Sequence, residues 1–131
     1  MMGLDTNVLV RFLIRDDEEQ FERACDLIQS EAQREEFVCV SLAVLLETEW
    51  VLRSRYKLGK EEILSTFSEL LSAGYIRFED EPAIAQALFM WKDSSAQFAD
   101  CLIGARHWAL GCRATATFDQ GALKLPGFVA A

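Results

Sequence analysis

The sequence lacks the signatures of several protein classes. Its four cysteines form no CxxC pair and His107 is the only histidine, so a structural zinc site is not expected. The longest apolar run covers residues 37–46 and is too short to cross a bilayer. The N-terminus has neither the basic start nor the cleavage site of a signal peptide. We therefore predict a cytoplasmic protein without membrane association, with Cys39 and Cys101 as buried free thiols.

Positive charge is also scarce. The 131 residues include 13 Lys and Arg against 21 Asp and Glu, which gives a net charge of −8. Proteins that hold nucleic acid through phosphate contacts alone are usually basic, so we expect no direct DNA binding by this chain alone. The charge does not exclude a nuclease, because acidic residues gathered around a Mg²⁺ ion would be locally much less negative.

Short apolar runs alternate with amphipathic helices along the whole chain. The hydrophobic periodicity predicts strands over residues 2–5, 37–40, 75–78 and 113–118. It predicts helices over residues 8–14, 17–34, 60–72 and 120–125, from Ser41 to Tyr56, from about Pro82, and from Ser94-Ser95 to Gly111. Thr6 or Asn7 is expected to cap the first helix, and Pro126-Gly127 is expected to turn into the tail.

The alternation of strands and helices predicts an α/β fold in which a parallel sheet is covered on both faces. No internal repeat, linker or low-complexity tract interrupts the sequence, so a single domain over residues 1–131 is expected. Ligand sites in such folds form beyond the carboxyl ends of the strands. Asp5 and Asp119 fall at such ends, which predicts a site there.

Four carboxylates lie beside or within apolar stretches, whereas most of the other acids lie in charge-rich segments. They are Asp5, Glu47, Asp100 and Asp119. Three of them have an ordinary structural role open to them. Asp5 and Asp119 could cap the first and last helices, and Asp100 lies near a helix start, where the macrodipole favours an acid.

Glu47 differs because its helical neighbours Ala43, Val44, Trp50 and Val51 are apolar. We therefore expect Glu47 to face an apolar stripe. Glu49 precedes Arg53 by one helical turn and is expected to form a surface ion pair with it.

The four acids are more informative together than singly. Carboxylates that converge on one sheet edge repel one another, which leaves them with raised pKa values or with a bound cation. Hard divalent ions prefer oxygen ligands, and Mg²⁺ commonly binds one or two carboxylates while keeping several waters. Such an ion can activate water and stabilise the charge of a phosphate under in-line attack. The acids thus indicate metal-dependent hydrolysis of phosphodiester bonds.

Four short motifs carry these acids. They are Leu4-Asp5-Thr6-Asn7-Val8-Leu9-Val10-Arg11, Ser41-Leu42-Ala43-Val44-Leu45-Leu46-Glu47, Phe98-Ala99-Asp100-Cys101-Leu102-Ile103 and Thr117-Phe118-Asp119. In this order and at these spacings they resemble the PIN-domain ribonucleases, and most closely the VapC-type toxins of type II toxin–antitoxin pairs. The resemblance covers essentially the whole chain. It implies a three-layer α/β/α fold with a short, mainly parallel sheet of four to five strands.

The resemblance also implies roles for the acids. The catalytic quartet falls on Asp5, Glu47, Asp100 and Asp119, which favours Glu47 over Glu49. Asp5 and Asp100 would be the main ligands of one or two Mg²⁺ or Mn²⁺ ions. Glu47 and Asp119 would complete the site directly or through water.

Three polar residues near the acids extend this comparison. Asn7 and Thr117 match supporting positions that orient the acids. Gln97 stands where relatives often carry another acid, a departure that weakens a second metal position but leaves the quartet intact.

The implied activity is that of an endoribonuclease acting as a toxin. Its partners would be the RNA substrate, a cognate antitoxin protein through which any DNA binding would occur, and a second copy in a homodimer or higher oligomer. One alternative is a catalytically inactive PIN scaffold that binds RNA or protein. Another is an aspartyl-phosphate phosphatase or a phosphoacceptor receiver domain. Asn7 argues against the phosphatase because that class usually has a second Asp at this position.

The remaining chemical residues support less specific expectations. The basic residues Arg11, Arg15, Arg53, Arg55, Lys57 and Lys60 are either solvated helix ends or a surface for RNA phosphates or an acidic antitoxin tail. His107 is interpreted as a surface or packing residue and not as a catalytic base. Trp50, Trp91 and Trp108 are interpreted as core or dimer-interface residues.

Overall fold

A computed structural model describes all of residues 1–131, and the chain divides into two units, Met1–Glu79 and Asp80–Ala131. The first unit contains three strands and four helices. They are β1 Met2–Gly3, α1 Thr6–Leu13, α2 Glu18–Gln33, β2 Val38–Val40, α3 Leu42–Ser54, α4 Lys60–Ser72 and β3 Ile76–Phe78. No helix in the chain has the length and apolar character needed to cross a bilayer.

The three strands of the first unit form a parallel sheet with β2 in the centre. Val38 pairs with Met2 of β1 on one side and with Ile76 of β3 on the other. Val38 and Val40, which share one face of β2, are buried. Cys39 on the opposite face is only half-buried, so its prediction as a buried thiol is wrong, whereas Cys101 is buried as predicted. The predicted α/β class and parallel pairing are confirmed, and β1 and β3 are the edge strands of this sheet.

The strands of this sheet end at a common edge because they run in parallel. Asp5 follows β1, Ser41 follows β2 and Glu79 follows β3. The Ser41 hydroxyl caps α3 by accepting from the Val44 N–H at 3.2 Å, and Glu79 Oε1 accepts from the Leu42 N–H at 2.9 Å. Two polar side chains thus satisfy the free backbone donors where α3 begins.

The helices of the first unit pack through the residues that their periodicity selects. Helix α1 lies against α2 and α3, and α4 lies against α3 and β3. Ile63, Phe67 and Leu70 of α4 are buried as predicted, whereas Leu64 and Leu71 are only half-buried.

One cap in this unit was predicted wrongly. The cap of α1 is Asp5, whose Oδ1 accepts from the Thr6 N–H at 2.8 Å. Thr6 and Asn7 already lie within the helix, because α1 begins two residues earlier than predicted. Asp5 therefore caps the first helix, the structural role that the sequence also allowed for it.

The second unit contains a pair of helices and a pair of strands. Its elements are α5 Glu81–Lys92, α6 Phe98–Ala109, β4 Thr115–Thr117, a 3₁₀ helix Ala122–Lys124 and β5 Phe128–Ala130. Helices α5 and α6 pack on each other, with the rings of Trp91 and Phe98 5.2 Å apart. Arg106 Nη1 of α6 also lies 2.9 Å from Asp80 Oδ2, the cap of α5. Pro82 lies in the first turn of α5, as predicted.

Two features of the second unit differ from the sequence prediction. Helix α6 begins at Phe98 after a Gln97 cap, and not at Ser94-Ser95; the Ser94 hydroxyl accepts from the Ala96 N–H at 3.3 Å in the preceding turn. The tail after Pro126-Gly127 is also not a simple turn. It forms β5, which pairs in parallel with β4, so the five strands hydrogen-bond as one three-stranded and one two-stranded sheet.

Strand β5 is tied to α6 by one close contact. A Cβ built on Gly104 of α6 would lie 2.5 Å from Cε2 of Phe128. Glycine within a helix costs about 1 kcal/mol relative to alanine, and here that cost is offset by the approach of the Phe128 ring to the helix backbone.

Candidate functional site

Two of the four acids come together in the second unit. Asp100 lies in the first turn of α6 and is half-buried, and Asp119 follows the end of β4. The pKa of Asp100 is raised above its usual value, first by burial and then by the negative charge of Asp119. A hydrogen bond between the two side chains raises it further, while a backbone hydrogen bond at Gln97 opposes the change. The fold thus holds two carboxyl groups against their mutual repulsion.

The segment that carries Asp119 is fixed by hydrogen bonds at both ends. The Thr117 hydroxyl accepts from the Asp119 N–H at 3.0 Å. Asp119 Oδ2 accepts from the Ala122 N–H at 3.1 Å, at the start of the 3₁₀ helix. Thr117 therefore holds the backbone of Asp119 in place, and the capping role that was open to Asp119 is observed.

The other two acids lie in the first unit. Asp5 is exposed at the carboxyl end of β1, with one oxygen engaged in capping α1. Glu47 is exposed on α3. Asn7, in the first turn of α1, lines a groove between α1 and α2 together with Arg11 and Arg23.

The predicted environments of the two glutamates on α3 are wrong. Ala43 and Trp50 are exposed beside Glu47, so the apolar stripe on that side of α3 faces outward. Glu49 is the buried acid, 4% exposed, and its Oε1 accepts from Arg53 Nε at 2.9 Å. The ion pair with Arg53 exists, but its carboxylate lies inside and not on the surface.

Comparison with known proteins decides the family. The family model described as "PIN domain" matches residues 2–127. The chain belongs to the PIN domain family. It is also 27% identical over 125 residues to a protein named "VapC ribonuclease" from Aquifex aeolicus (strain VF5), a match that covers 95% of this chain and 92% of that protein.

The donor groups of this PIN domain fit a divalent cation in part. No group of three or more His, Cys, Asp or Glu side chains lies in an arrangement that could hold a metal ion. The pair Asp100 and Asp119 fits Mg²⁺, which commonly uses one or two carboxylates and keeps several waters. A cation would also relieve the repulsion that raises the pKa of Asp100.

This repulsion predicts a pH-dependent cost in stability. A raised folded pKa means that the fold favours the neutral form of Asp100, so its cost is absent at low pH and is fully present once pH exceeds the folded pKa. In EDTA at neutral pH, Asp100→Asn should therefore raise the Tm of the PIN domain. The gain should vanish as pH falls below the ordinary pKa of aspartate. Thermal scans of both proteins from pH 3 to 8 measure this, and an equal gain at every pH would contradict it.

Four arginines of the PIN domain, Arg11, Arg15, Arg53 and Arg106, are paired with acids. Arg11 Nη1 lies 2.9 Å from Asp16 Oδ1, and it also donates to the Tyr56 hydroxyl. Arg15 pairs with Glu18 beyond the end of α1, which stops at Leu13. Arg15 therefore lies outside the helix that carries Arg11.

The single histidine and the tryptophans take different positions. His107 is half-buried, with Nδ1 2.9 Å from the Thr115 hydroxyl, which agrees with its interpretation as a packing residue. Trp91 is a core residue. Trp50 and Trp108 are exposed, so the core role is wrong for both.

Phe118 of the fourth motif was given no functional role from the sequence. Phe118 lies between Thr117 and Asp119 and is the most exposed of the large apolar side chains. The available signal was the alternation of β4, in which Thr115 and Thr117 are half-buried and Ala116 and Phe118 are exposed.

Proposed function

We propose that this PIN domain is a metal-dependent endoribonuclease that hydrolyses RNA phosphodiester bonds. Three lines of support agree: the family match over residues 2–127, the similarity to a protein named VapC ribonuclease, and the presence of all four acids in order. An inactive scaffold would be free to lose these acids. The two units are proposed to act as one PIN domain over residues 1–131.

The observation that carries the proposal is the pairing of Asp100 with Asp119. These residues come from α6 and from the segment after β4, and the fold brings their carboxyl groups together although burial and charge both oppose ionisation. Perturbed carboxyl groups of this kind cluster at functional sites.

We propose the four acids as the site on the order of their motifs in the sequence; the structure itself pairs only Asp100 with Asp119. Asp5 and Asp100 would be the main metal ligands, with Glu47 and Asp119 binding directly or through water, and with Asn7 and Thr117 in support. A divalent cation, Mg²⁺ or Mn²⁺ as one or two ions, would supply the positive charge that lowers the pKa of water and stabilises the phosphate under attack. The chain itself contributes the orientation of Asp119, through the hydroxyl of Thr117 and the N–H of Ala122.

The biological role that we propose is that of the toxin in a toxin–antitoxin pair. This role rests on the similarity to the VapC ribonuclease of Aquifex aeolicus. It implies a cognate antitoxin that inhibits the nuclease, a cytoplasmic location and a homodimer or higher oligomer.

Metal removal tests the activity directly. Purified protein should cleave a labelled RNA mixture in Mg²⁺ or Mn²⁺, lose cleavage in excess EDTA, and regain it when the ion is restored. Gel electrophoresis of the RNA measures each step, and a mock purification from cells with the empty vector controls for contaminating nucleases. Full cleavage in excess EDTA would contradict the metal requirement. No cleavage under any condition would favour the inactive scaffold.

A further inference from the structure

Phe118 is held in an exposed position directly beside a candidate catalytic acid. Its side chain is 87% exposed, although Phe is one of the residues most often buried. It follows the last residue of β4 and precedes Asp119. Its place next to Asp119 makes this ring available to any ligand that binds the acids.

The backbone on both sides of Phe118 is anchored. Residue Thr117 accepts from the Ala131 N–H through its carbonyl at 3.0 Å and from the Asp119 N–H through its hydroxyl at 3.0 Å. The carbonyl of Asp119 accepts from the Leu123 N–H at 3.1 Å. The backbone that carries the exposed ring is therefore held by the fold and is not a loose loop, which reduces the backbone entropy lost on binding.

The net charge of the chain favours a role for an aromatic ring at residue 118 in binding RNA. A net charge of −8 leaves little general attraction for a polyanion. Four of the nine arginines are paired with acids: Arg106 in the second unit, and Arg11, Arg15 and Arg53 in the first. Arg113 and Lys124 of the second unit are exposed basic residues that could contact phosphates, and a ring would add base stacking to those contacts. Binding of single-stranded nucleic acid then depends more on stacking of bases on aromatic rings, which every base can provide because every base has a π-face.

We propose that Phe118 is a stacking platform for a nucleobase next to the phosphodiester that is cleaved, and that it positions single-stranded RNA at the site of Asp100 and Asp119. This inference rests on the proposed nuclease function. It assigns Phe118 a positioning role, because the ring contacts a base and takes no part in proton transfer or metal binding. It also predicts that the substrate is unpaired at that base, since a base within a duplex is already stacked on its neighbours.

Substitutions at residue 118 separate stacking from simple apolar contact. Phe118→Ala and Phe118→Leu should lower kcat/KM for a single-stranded RNA by roughly 5- to 150-fold, the range of one lost base–aromatic stack, whereas Phe118→Tyr and Phe118→Trp should stay within about 3-fold of the parent protein. The matched control is Trp108→Leu. Trp108 is another exposed aromatic residue of the same unit, at 73%, and lies on α6 beyond Asp100.

A spectroscopic readout distinguishes stacking from a general structural effect. RNA carrying 2-aminopurine at one position at a time is titrated with full-length Asp100→Asn protein, alone or combined with Phe118→Leu or with Phe118→Tyr. A platform quenches the fluorescence of one position, and the quench should be lost with Phe118→Leu and kept with Phe118→Tyr.

The outcomes are separable from those of the nuclease proposal. If the parent protein cleaves RNA and Phe118→Leu cleaves equally well with an unchanged 2-aminopurine profile, the platform is overturned while the nuclease stands. If Phe118→Leu instead changes only the oligomeric state or the binding of an antitoxin, the ring serves a protein contact and the platform is again overturned. If the parent protein cleaves no RNA, the failure lies in the proposed function.

Discussion

Replacing Asp100 by Asn should reduce RNA cleavage by about 10³-fold or more and should leave the fold intact. Loss of a metal ligand removes several kcal/mol of charge stabilisation in the transition state, and each 1.4 kcal/mol is a factor of ten in rate. Asn is nearly isosteric with Asp, and Asp100 is only half-buried. Rates of cleavage of a defined RNA by the parent protein and the variant measure the effect, and circular dichroism reports the fold.

Asp5→Asn should likewise abolish cleavage and leave the fold intact, because Asn can replace Asp5 as a helix cap but not as a charged metal ligand. Asp5 caps α1 through Oδ1, and Asn caps helices about as well as Asp. The variant should therefore keep its stability while losing activity and growth inhibition. Asp26→Asn on α2 and Asp93→Asn at the end of α5 are matched controls, since both acids are exposed. Undiminished cleavage by Asp5→Asn or Asp100→Asn would remove these residues from the site.

The two glutamates of α3 should respond in opposite ways to the same substitution. Glu47→Gln removes an exposed acid of the proposed site and should lower the cleavage rate by about 10- to 100-fold with little change in Tm. Glu49→Gln removes a buried charge that accepts from Arg53. Its cost should be about 1–2 kcal/mol, or roughly 3–10 °C in Tm, with the cleavage rate per folded molecule preserved.

Parallel kinetics and thermal melts of the two variants test this reversal. The pair controls itself, because both variants make the same chemical change on one helix two residues apart. A loss of activity in Glu49→Gln with normal Tm, together with a fully active Glu47→Gln, would exchange the roles assigned to them.

Much of the fold could be predicted from the sequence where one signal dominates. Helix α4 has the predicted bounds because its apolar residues repeat at one helical spacing and Ala73 ends the helix. The cap of α6 could not be predicted from Ser94-Ser95. Capping preference is local, whereas the helix start is also set by Phe98, which is buried against Trp91 of the neighbouring helix. Strand β5 was missed because its three residues gain their hydrogen bonds only from distant β4.

The identity of the site residues stays a prediction from the sequence, whereas the predicted environments of the two glutamates on α3 were wrong. The four acids follow from motif order, and the pairing of Asp100 with Asp119 agrees with them. The burial of Glu49 did not follow from the sequence. Helix α3 carries apolar residues on nearly every side, so the sequence does not show which face is buried. That face consists of Leu45, Thr48, Glu49 and Leu52. Phe118 was overlooked because the degree to which a ring is exposed depends on the tertiary fold.

The parallel pairing of β4 with β5 limits which insertions and deletions the segment between these strands can accept. The residues from 118 to 127 must cross from the end of β4 back to the start of β5, and the 3₁₀ helix lies within that short connection. Such a crossover has little slack, so added or deleted residues would pull the strands out of register. Closely similar chains should therefore differ here in side-chain identity and hardly ever in length, and new RNA preferences should be engineered by point replacement and not by grafting a loop.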